Sequence, residues 1–366
     1  MDIGIVGLPK SGKTTIFNAV TKGVAQVAAY AGPLSKPNLG VAKLPDLRLA
    51  FLQGLFNSKR KVPVEVSYVD VPAPPEDIGR ARGITGEMLN HVRSADALLV
   101  VTRGFEDRSV SQVADGVDPV RDAEAMFYEF AFADLEILER RLARIDENFK
   151  GAKAPERLVL TKEQSLVTRL KGDLESGIPV RDQALTRDEA RTLQGYRFLS
   201  AKPLIVIVNL GEDQLADIPS LEARLTKVMA GPTVRIAVLC GKLEMELAKM
   251  EPEEEREFRE SLDLGESRLD LIVKLSHDVL DLVTFYTCNP NEVRAWTVTR
   301  GSTALQAAGK IHSDLGRGFI RAEVIGIDEL ERCGSIAESR SQGLLRQEGK
   351  AYAIDNGDVV NILFNV

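Results

Sequence analysis

The sequence predicts an α/β protein: a domain built on a parallel sheet, interrupted by a helical insertion and followed by a smaller mixed module. Three observations carry this. A P-loop lies within the first fifteen residues. Short, fully apolar strands recur along the chain and end in polar residues. The last ninety or so residues switch to strands with a different pattern.

Ile3–Val6 reads as a buried strand, and residues 15–20 as the opening of a helix. Between them, Gly7-Leu8-Pro9-Lys10-Ser11-Gly12-Lys13-Thr14 matches G-x-x-x-x-G-K-[ST] at every fixed position, in the strand–loop–helix context the motif requires. Gly7 and Gly12 let the backbone curl so that its N–H groups, with the positive end of the helix, face an anion. Pro9, Lys10, Ser11 and Thr15 complete the expected phosphate cradle. Lys13 is placed for the β- and γ-phosphates, and the Thr14 hydroxyl for Mg²⁺. The motif therefore predicts a nucleoside triphosphate ligand.

The 366 residues allow two or three domains. Hydrophobic residues at 44% and charged residues at 28% fit a globular chain. The net charge of -7 argues against nucleic-acid binding by bulk charge, though not against a local basic face. Cys240, Cys288 and Cys333 are far apart and make no C-x-x-C pair, so neither a disulfide framework nor a zinc site is indicated. The longest apolar runs, residues 97–101 and 204–208, are far short of a membrane span. With a strand and P-loop at the start and no signal segment before them, a cytoplasmic location is expected.

Residues 28–43, rich in Gly, Pro and Ser, read as a loop near the phosphates, and 47–56 as a helix. Residues 62–71 alternate as one strand reaching Asp70, expected to be the Mg²⁺-side carboxylate; the alternative is a solvated strand end. Residues 98–101 form another buried strand. Tyr128, Ala131, Leu135, Leu138, Leu142 and Ile145 repeat at spacings of three and four, and the pattern resumes at Leu160 after a break near 151–155, predicting a helical hairpin or short coiled coil.

Residues 203–208 and 234–239 are further buried strands. Their ends, Asn209-Leu210-Gly211-Glu212 and Cys240-Gly241-Lys242, are expected at the same crevice as the P-loop, because ligands of such sheets sit at the carboxyl ends of the strands. Residues 251–260 read as a solvated helix and 269–282 as an amphipathic helix. Strands at 294–298 and 318–324 flank a helix at 303–315, and 351–354 with 359–364 read as a hairpin about Asn356-Gly357. The expected partition is a nucleotide-binding domain at 1–124 and 196–279, a helical insertion at 125–195, and a C-terminal domain at 280–366.

Nearly end to end, the chain resembles the YchF or Obg-like ATPase family. The resemblance is carried by residues 7–15, Pro37-Asn38-Leu39-Gly40-Val41, the strand to Asp70, Lys202-Pro203 and 209–212. It continues through Phe285-Tyr286-Thr287, Val293-Arg294-Ala295-Trp296-Thr297, residues 307–314 and 318–324, and Phe364-Asn365-Val366. It implies a Ras-like G domain with a helical insertion, a ubiquitin-like β-grasp (TGS) domain, ATP with Mg²⁺, and association with the ribosome or translation machinery.

The base-reading stretch supports that nucleotide. Related GTPases read guanine with the Asp of N-K-x-D; here Leu210 replaces the lysine, and Glu212 is one methylene longer than Asp. The guanine fit weakens; the alternative is that Glu212 still serves guanine. The chain also departs from the family's pattern. Leu34 stands where a threonine helps hold Mg²⁺, and Ala73-Pro74-Pro75 replaces the glycine segment that meets the γ-phosphate. Gln112 occupies the place of a histidine after Arg103-Gly104-Phe105-Glu106 and is the candidate for orienting water. These changes predict slow or impaired hydrolysis, or, alternatively, a nucleotide-gated interaction protein with little turnover.

Overall fold

The computed structural model describes residues 1–23, 37–70, 87–106, 116–229 and 231–365. They form two compact units, one of residues 1–41 and 67–272, the other of 42–66 and 273–366.

The first unit contains a six-stranded sheet. Its strands are β1 (Asp2–Val6), β2 (Asn38–Lys43), β4 (Glu65–Asp70), β5 (Ala97–Arg103), β6 (Leu204–Asn209) and β7 (Val234–Leu239), in the order β2-β4-β1-β5-β6-β7. β4, β1, β5, β6 and β7 run parallel, so their carboxyl ends share one edge. β5 and β6 are buried almost throughout, as sheets covered on both faces require. The helices are α1 (Lys13–Thr21), α3 (Glu87–Ser94), α4 (Pro119–Phe149), α5 (Ala154–Glu175), α6 (Arg187–Leu193), α7 (Ile218–Met229), α8 (Gly241–Leu247) and α9 (Pro252–Ser261); α10 (Arg268–Asp278) leads out.

The predicted helical insertion is the α4–α5 pair. Asp118 caps α4 by accepting from the N–H groups of Val120 and Arg121, with Pro119 at the first position. Leu138, Leu166, Val167, Leu170 and Leu174 close a separate apolar core with Val180 and Phe198. Arg141 grips Glu163 through two bonds of 2.8 and 2.7 Å, and Tyr196 donates to the same carboxylate at 2.8 Å.

The second unit is a mixed sheet in the order β11-β10-β12-β8-β9-β3. Its strands are β3 (Arg60–Val62), β8 (Leu282–Cys288), β9 (Glu292–Thr299), β10 (Phe319–Gly326), β11 (Arg346–Glu348) and β12 (Asp358–Phe364). The β8–β9 hairpin, with β12 parallel to β8 and antiparallel to β10, has the β-grasp arrangement. Ala304, Ala307 and Ala308 of α11 (Ala304–Ile311) pack on Phe285, Val324 and Val360. The remaining helices are α2 (Arg48–Phe56), α12 (Ser313–Arg317), α13 (Ile327–Cys333) and α14 (Ile336–Ser341).

Several expectations are corrected. Residues 38–43 are strand β2, not loop. The single strand expected at 62–71 is two strands in different sheets, parted at Pro63, which has no N–H for a ladder. The helix expected to reach Leu282 ends at Asp278, and Leu282 opens β8. The helix at 303–315 breaks at His312, whose backbone is extended and whose Nδ1 accepts from the Asp314 N–H. The hairpin at 351–364 does not form: Ala353 bridges Thr303, and β12 pairs with β8 and β10. Asn356 and Gly357 do turn the chain, but they dock on β8, where Asn356 Oδ1 accepts from the Thr284 N–H and Gly357 N–H donates to Thr284 O.

Residues 42–66, expected within the nucleotide-binding domain, pack in the second unit instead. β3 extends the sheet beside β9, and α2 buries Leu49 and Leu52. Nothing local in the pattern reveals such long-range pairing. Leu52→Ala in the full chain should cost about 2–5 kcal/mol by denaturant titration. A fragment of 280–366 alone should melt at lower temperature than one in which 42–66 is fused to 273–366; equal melting would show that α2 and β3 add no stability.

Candidate functional site

The P-loop leaves β1 at Val6 and enters α1 at Lys13. Gly12, at φ 91°, caps α1 in a left-handed conformation, and a Cβ there would fall 2.1 Å from Asn209 Nδ2. No side chain caps the helix, and no acidic residue lies in its first turn, so its leading N–H groups keep their positive field for an anion. Pro9 is exposed, and Lys10 takes a left-handed φ of 59°.

Lys13 is buried, with Nζ donating to Gly7 O and Leu8 O, each at 3.0 Å. Burial lowers its pKa to about 8, partly offset by the nearby Asp70 carboxylate. Thr14 Oγ1 donates to Asp70 Oδ2 at 2.9 Å, and Asn38 Nδ2 reaches the same oxygen at 3.2 Å. Asp70 is buried, and its other oxygen, Oδ1, has no hydrogen-bond partner. A hydroxyl beside a carboxylate with a free buried oxygen fits Mg²⁺, which takes one or two protein ligands and completes its shell from phosphates and water. Asn38 entered the sequence reading only within Pro37-Asn38-Leu39; that it orients Asp70 depends on β2 and is invisible from its position alone.

The strand ends meet the P-loop as expected. Asn209 Nδ2 donates to Ser11 O at 3.1 Å, and its Oδ1 accepts from the Gly241 N–H at 2.9 Å. A Cβ at Gly241 would lie 2.6 Å from Ile16 Cδ1 and 3.0 Å from Asn209 Oδ1, so only glycine allows this closeness. Leu210 is a core residue packed with Val208, leaving no polar group at the position of the usual lysine. Cys240 is buried where α8 starts, and burial raises its thiol pKa. Glu212 and Lys242 face each other at 2.9 Å, both largely exposed, and the Glu212 contact raises the Lys242 pKa. Thr15 is half-buried in the first turn of α1. Leu34, Ala73-Pro74-Pro75 and Gln112 lie outside the described residues. Among the described residues, no group of three or more His, Cys, Asp or Glu could hold a metal ion by itself.

A parallel sheet with a glycine-capped P-loop, a buried lysine and a threonine–aspartate pair at the strand ends defines a P-loop nucleoside-triphosphate-binding protein. Residues 2–131 match the family described as "50S ribosome-binding GTPase", and residues 282–365 match the YchF GTPase C-terminal family, described as "Protein of unknown function (DUF933)". The chain is 37% identical over 365 residues, covering 99% of both, to the "Ribosome-binding ATPase YchF" of Bacillus subtilis. It is 33% identical over 363 residues, again covering 99% of both, to the protein of that name from Escherichia coli O157:H7. The solved structure titled "Structure of the Schizosaccharomyces pombe YchF GTPase" superposes with a TM-score of 0.83 at 28% identity, covering 99% of this chain and 97% of that one. The chain belongs to the YchF family.

Because Lys13 must be protonated to pair with phosphate, its lowered pKa gives nucleotide binding a pH dependence. A bound phosphate raises that pKa, so affinity is full below pH 8 and falls above it by up to about tenfold per pH unit. Calorimetry between pH 7 and 9.5 checks this, with Lys13→Ala, which should abolish tight binding, as the control for the residue responsible.

Proposed function

We propose that this protein is an ATP-preferring P-loop NTPase that acts with the ribosome in the cytoplasm and hydrolyses nucleotide slowly on its own. The observation that carries the base preference is the Glu212–Lys242 pair at 2.9 Å, next to a buried Leu210. Guanine offers two adjacent donors, N1–H and N2–H, and calls for a free carboxylate. A carboxylate already paired with an ammonium presents one acceptor and one donor, which suits the N6 amino group and N1 of adenine. In this reading Gly7, Pro9, Lys10, Ser11, Gly12, Lys13, Thr14 and Thr15 hold the phosphates. Asn209, Leu210, Glu212, Cys240, Gly241 and Lys242 form the base end.

Thr14 and Asp70 would hold Mg²⁺, whose chemistry is to neutralise charge on the phosphates. Lys13 stabilises charge at the γ-phosphate, and Gln112 orients water. The ribosome enters from the name of the bacterial relatives, "Ribosome-binding ATPase YchF". No helix among the described residues is long and apolar enough to cross a membrane. A second reading, a nucleotide-gated interaction protein with little turnover, is favoured by Leu34 and Pro74-Pro75 in place of groups that close on the γ-phosphate.

Calorimetry with ATP and GTP in Mg²⁺ tests the base preference: ATP should bind more tightly, and GTP binding tenfold tighter would overturn it. Glu212→Asp with Lys242→Met, which restores a short unpaired carboxylate, should move the ratio toward GTP. Hydrolysis is tested by single turnover with ATP and no partner. The expected rate lies below about 1 s⁻¹, the low end of ordinary turnover numbers, since one missing preorganised donor costs on the order of 10²–10³. A faster rate refutes slow hydrolysis; no measurable hydrolysis with or without ribosomes favours the second reading.

A further inference from the structure

Helix α4 carries an apolar face that its own hairpin does not use. Its inward side packs in the hairpin core through Leu138 and in the sheet core through Met126 and Phe130. On the other side, Tyr128 and Phe132 are 60% and 62% exposed. Ala125, partly exposed, lies three residues before Tyr128 on the same helix face, whereas Leu135, three residues past Phe132, packs into the hairpin core. Two neighbouring aromatics so uncovered, on a regular 31-residue helix, are unusual on a globular surface, and aromatics are enriched at the centres of protein interfaces.

The rim of this face is acidic. Glu124, Glu129, Glu136 and Glu139 surround it within two turns. Glu124 and Glu129 make no ion pair with any described residue, whereas Glu139 is held by Lys171 at 3.1 Å. Of the nearby cations, Arg121 is committed to Gly116 O and Asp122, and Arg140 Nε donates to Glu136 O.

We infer that the Tyr128–Phe132 face of α4 docks a basic, apolar-bearing protein segment, and that on the ribosome this contact is made with a ribosomal protein, not with RNA. The inference rests on the ribosome reading above. An aromatic pair flanked by the unpaired carboxylates of Glu124 and Glu129 repels phosphate backbones and attracts Lys/Arg-rich protein. A second copy of the chain is disfavoured for the same reason, because pairing two such faces would oppose like charges. The aromatic pair covers only part of the roughly 800 Å² that one partner contributes to a standard interface, which suits a reversible contact anchored by two side chains.

Full-length protein would be co-sedimented with salt-washed ribosomes in three forms: wild type, Tyr128→Gln with Phe132→Gln, and Glu124→Lys with Glu129→Lys. Both variants should lose about tenfold or more in ribosome affinity while ATP affinity is unchanged. A photocrosslinking benzoylphenylalanine at position 132 should capture a ribosomal protein. Crosslinks to ribosomal RNA or to a second copy, tighter binding after charge reversal, or wild-type sedimentation of the glutamine variant would each overturn the inference while leaving the ribosome reading intact. A glutamine variant whose melting temperature drops by more than a few degrees would show that the chain itself covers this face, which also overturns it. If the wild type does not sediment at all, the ribosome reading fails and this partner falls with it.

Discussion

The candidate site depends on the Asn209 side chain. Its amide bridges Ser11 O and the Gly241 N–H, so one residue at the end of β6 fixes the phosphate loop against the start of α8. The bridge tolerates almost no extra volume: a Cβ on Gly12 would strike its nitrogen, and one on Gly241 would crowd its oxygen. A buried amide with both ends engaged is rigid, because either partner left unpaired would cost the desolvation of a polar group. The phosphate-facing N–H groups are therefore held in place before a ligand arrives, which lowers the ordering cost of binding.

Around that bridge, some polar groups are buried without full compensation. Lys13 gives up hydration for two carbonyl contacts, and Asp70 keeps one buried oxygen without a partner. Such arrangements weaken a fold considered alone. They would become favourable with a phosphate and a divalent cation supplying the missing charge, and underpaired groups concentrate at functional sites for this reason.

A second polar cluster anchors the helical hairpin to the sheet. Asp134, fully buried on α4, accepts from the N–H groups of Leu199 and Ser200, just before β6. Burial pushes its pKa up to about 6 despite those two donors. Arg93, at the end of α3, donates to Ala133 O, and Lys202 reaches Ala95 O. The middle of α4 is thus joined by charge-assisted bonds to the segment that leads into β6. The exposed Tyr128 and Phe132 lie within two turns of this anchor on the same helix.

The P-loop, the apolar strands of the parallel sheet and the three-and-four spacing of α4 and α5 are legible in the chain alone, except that Tyr128, which opens that spacing, stays exposed. Each is a local signal: a fixed motif, an apolar run, or a period of three and four. The sequence also located Asp70, Asn209 and Gly241 at strand ends, because parallel sheets place those ends on one edge. The tertiary structure alone decided what depends on distant partners. Asn38 orients Asp70 only because β2 forms. Leu210 is core and Glu212 faces Lys242 only because β6 and β7 are neighbours. Residues 42–66 join the C-terminal sheet because β3 pairs with β9, some 230 residues away in sequence. The turn at Asn356-Gly357 reads as a hairpin locally, yet β12 finds β8 and β10 instead, since burying Val359 and Val360 between two strands outweighs a local pairing that would leave them at an edge.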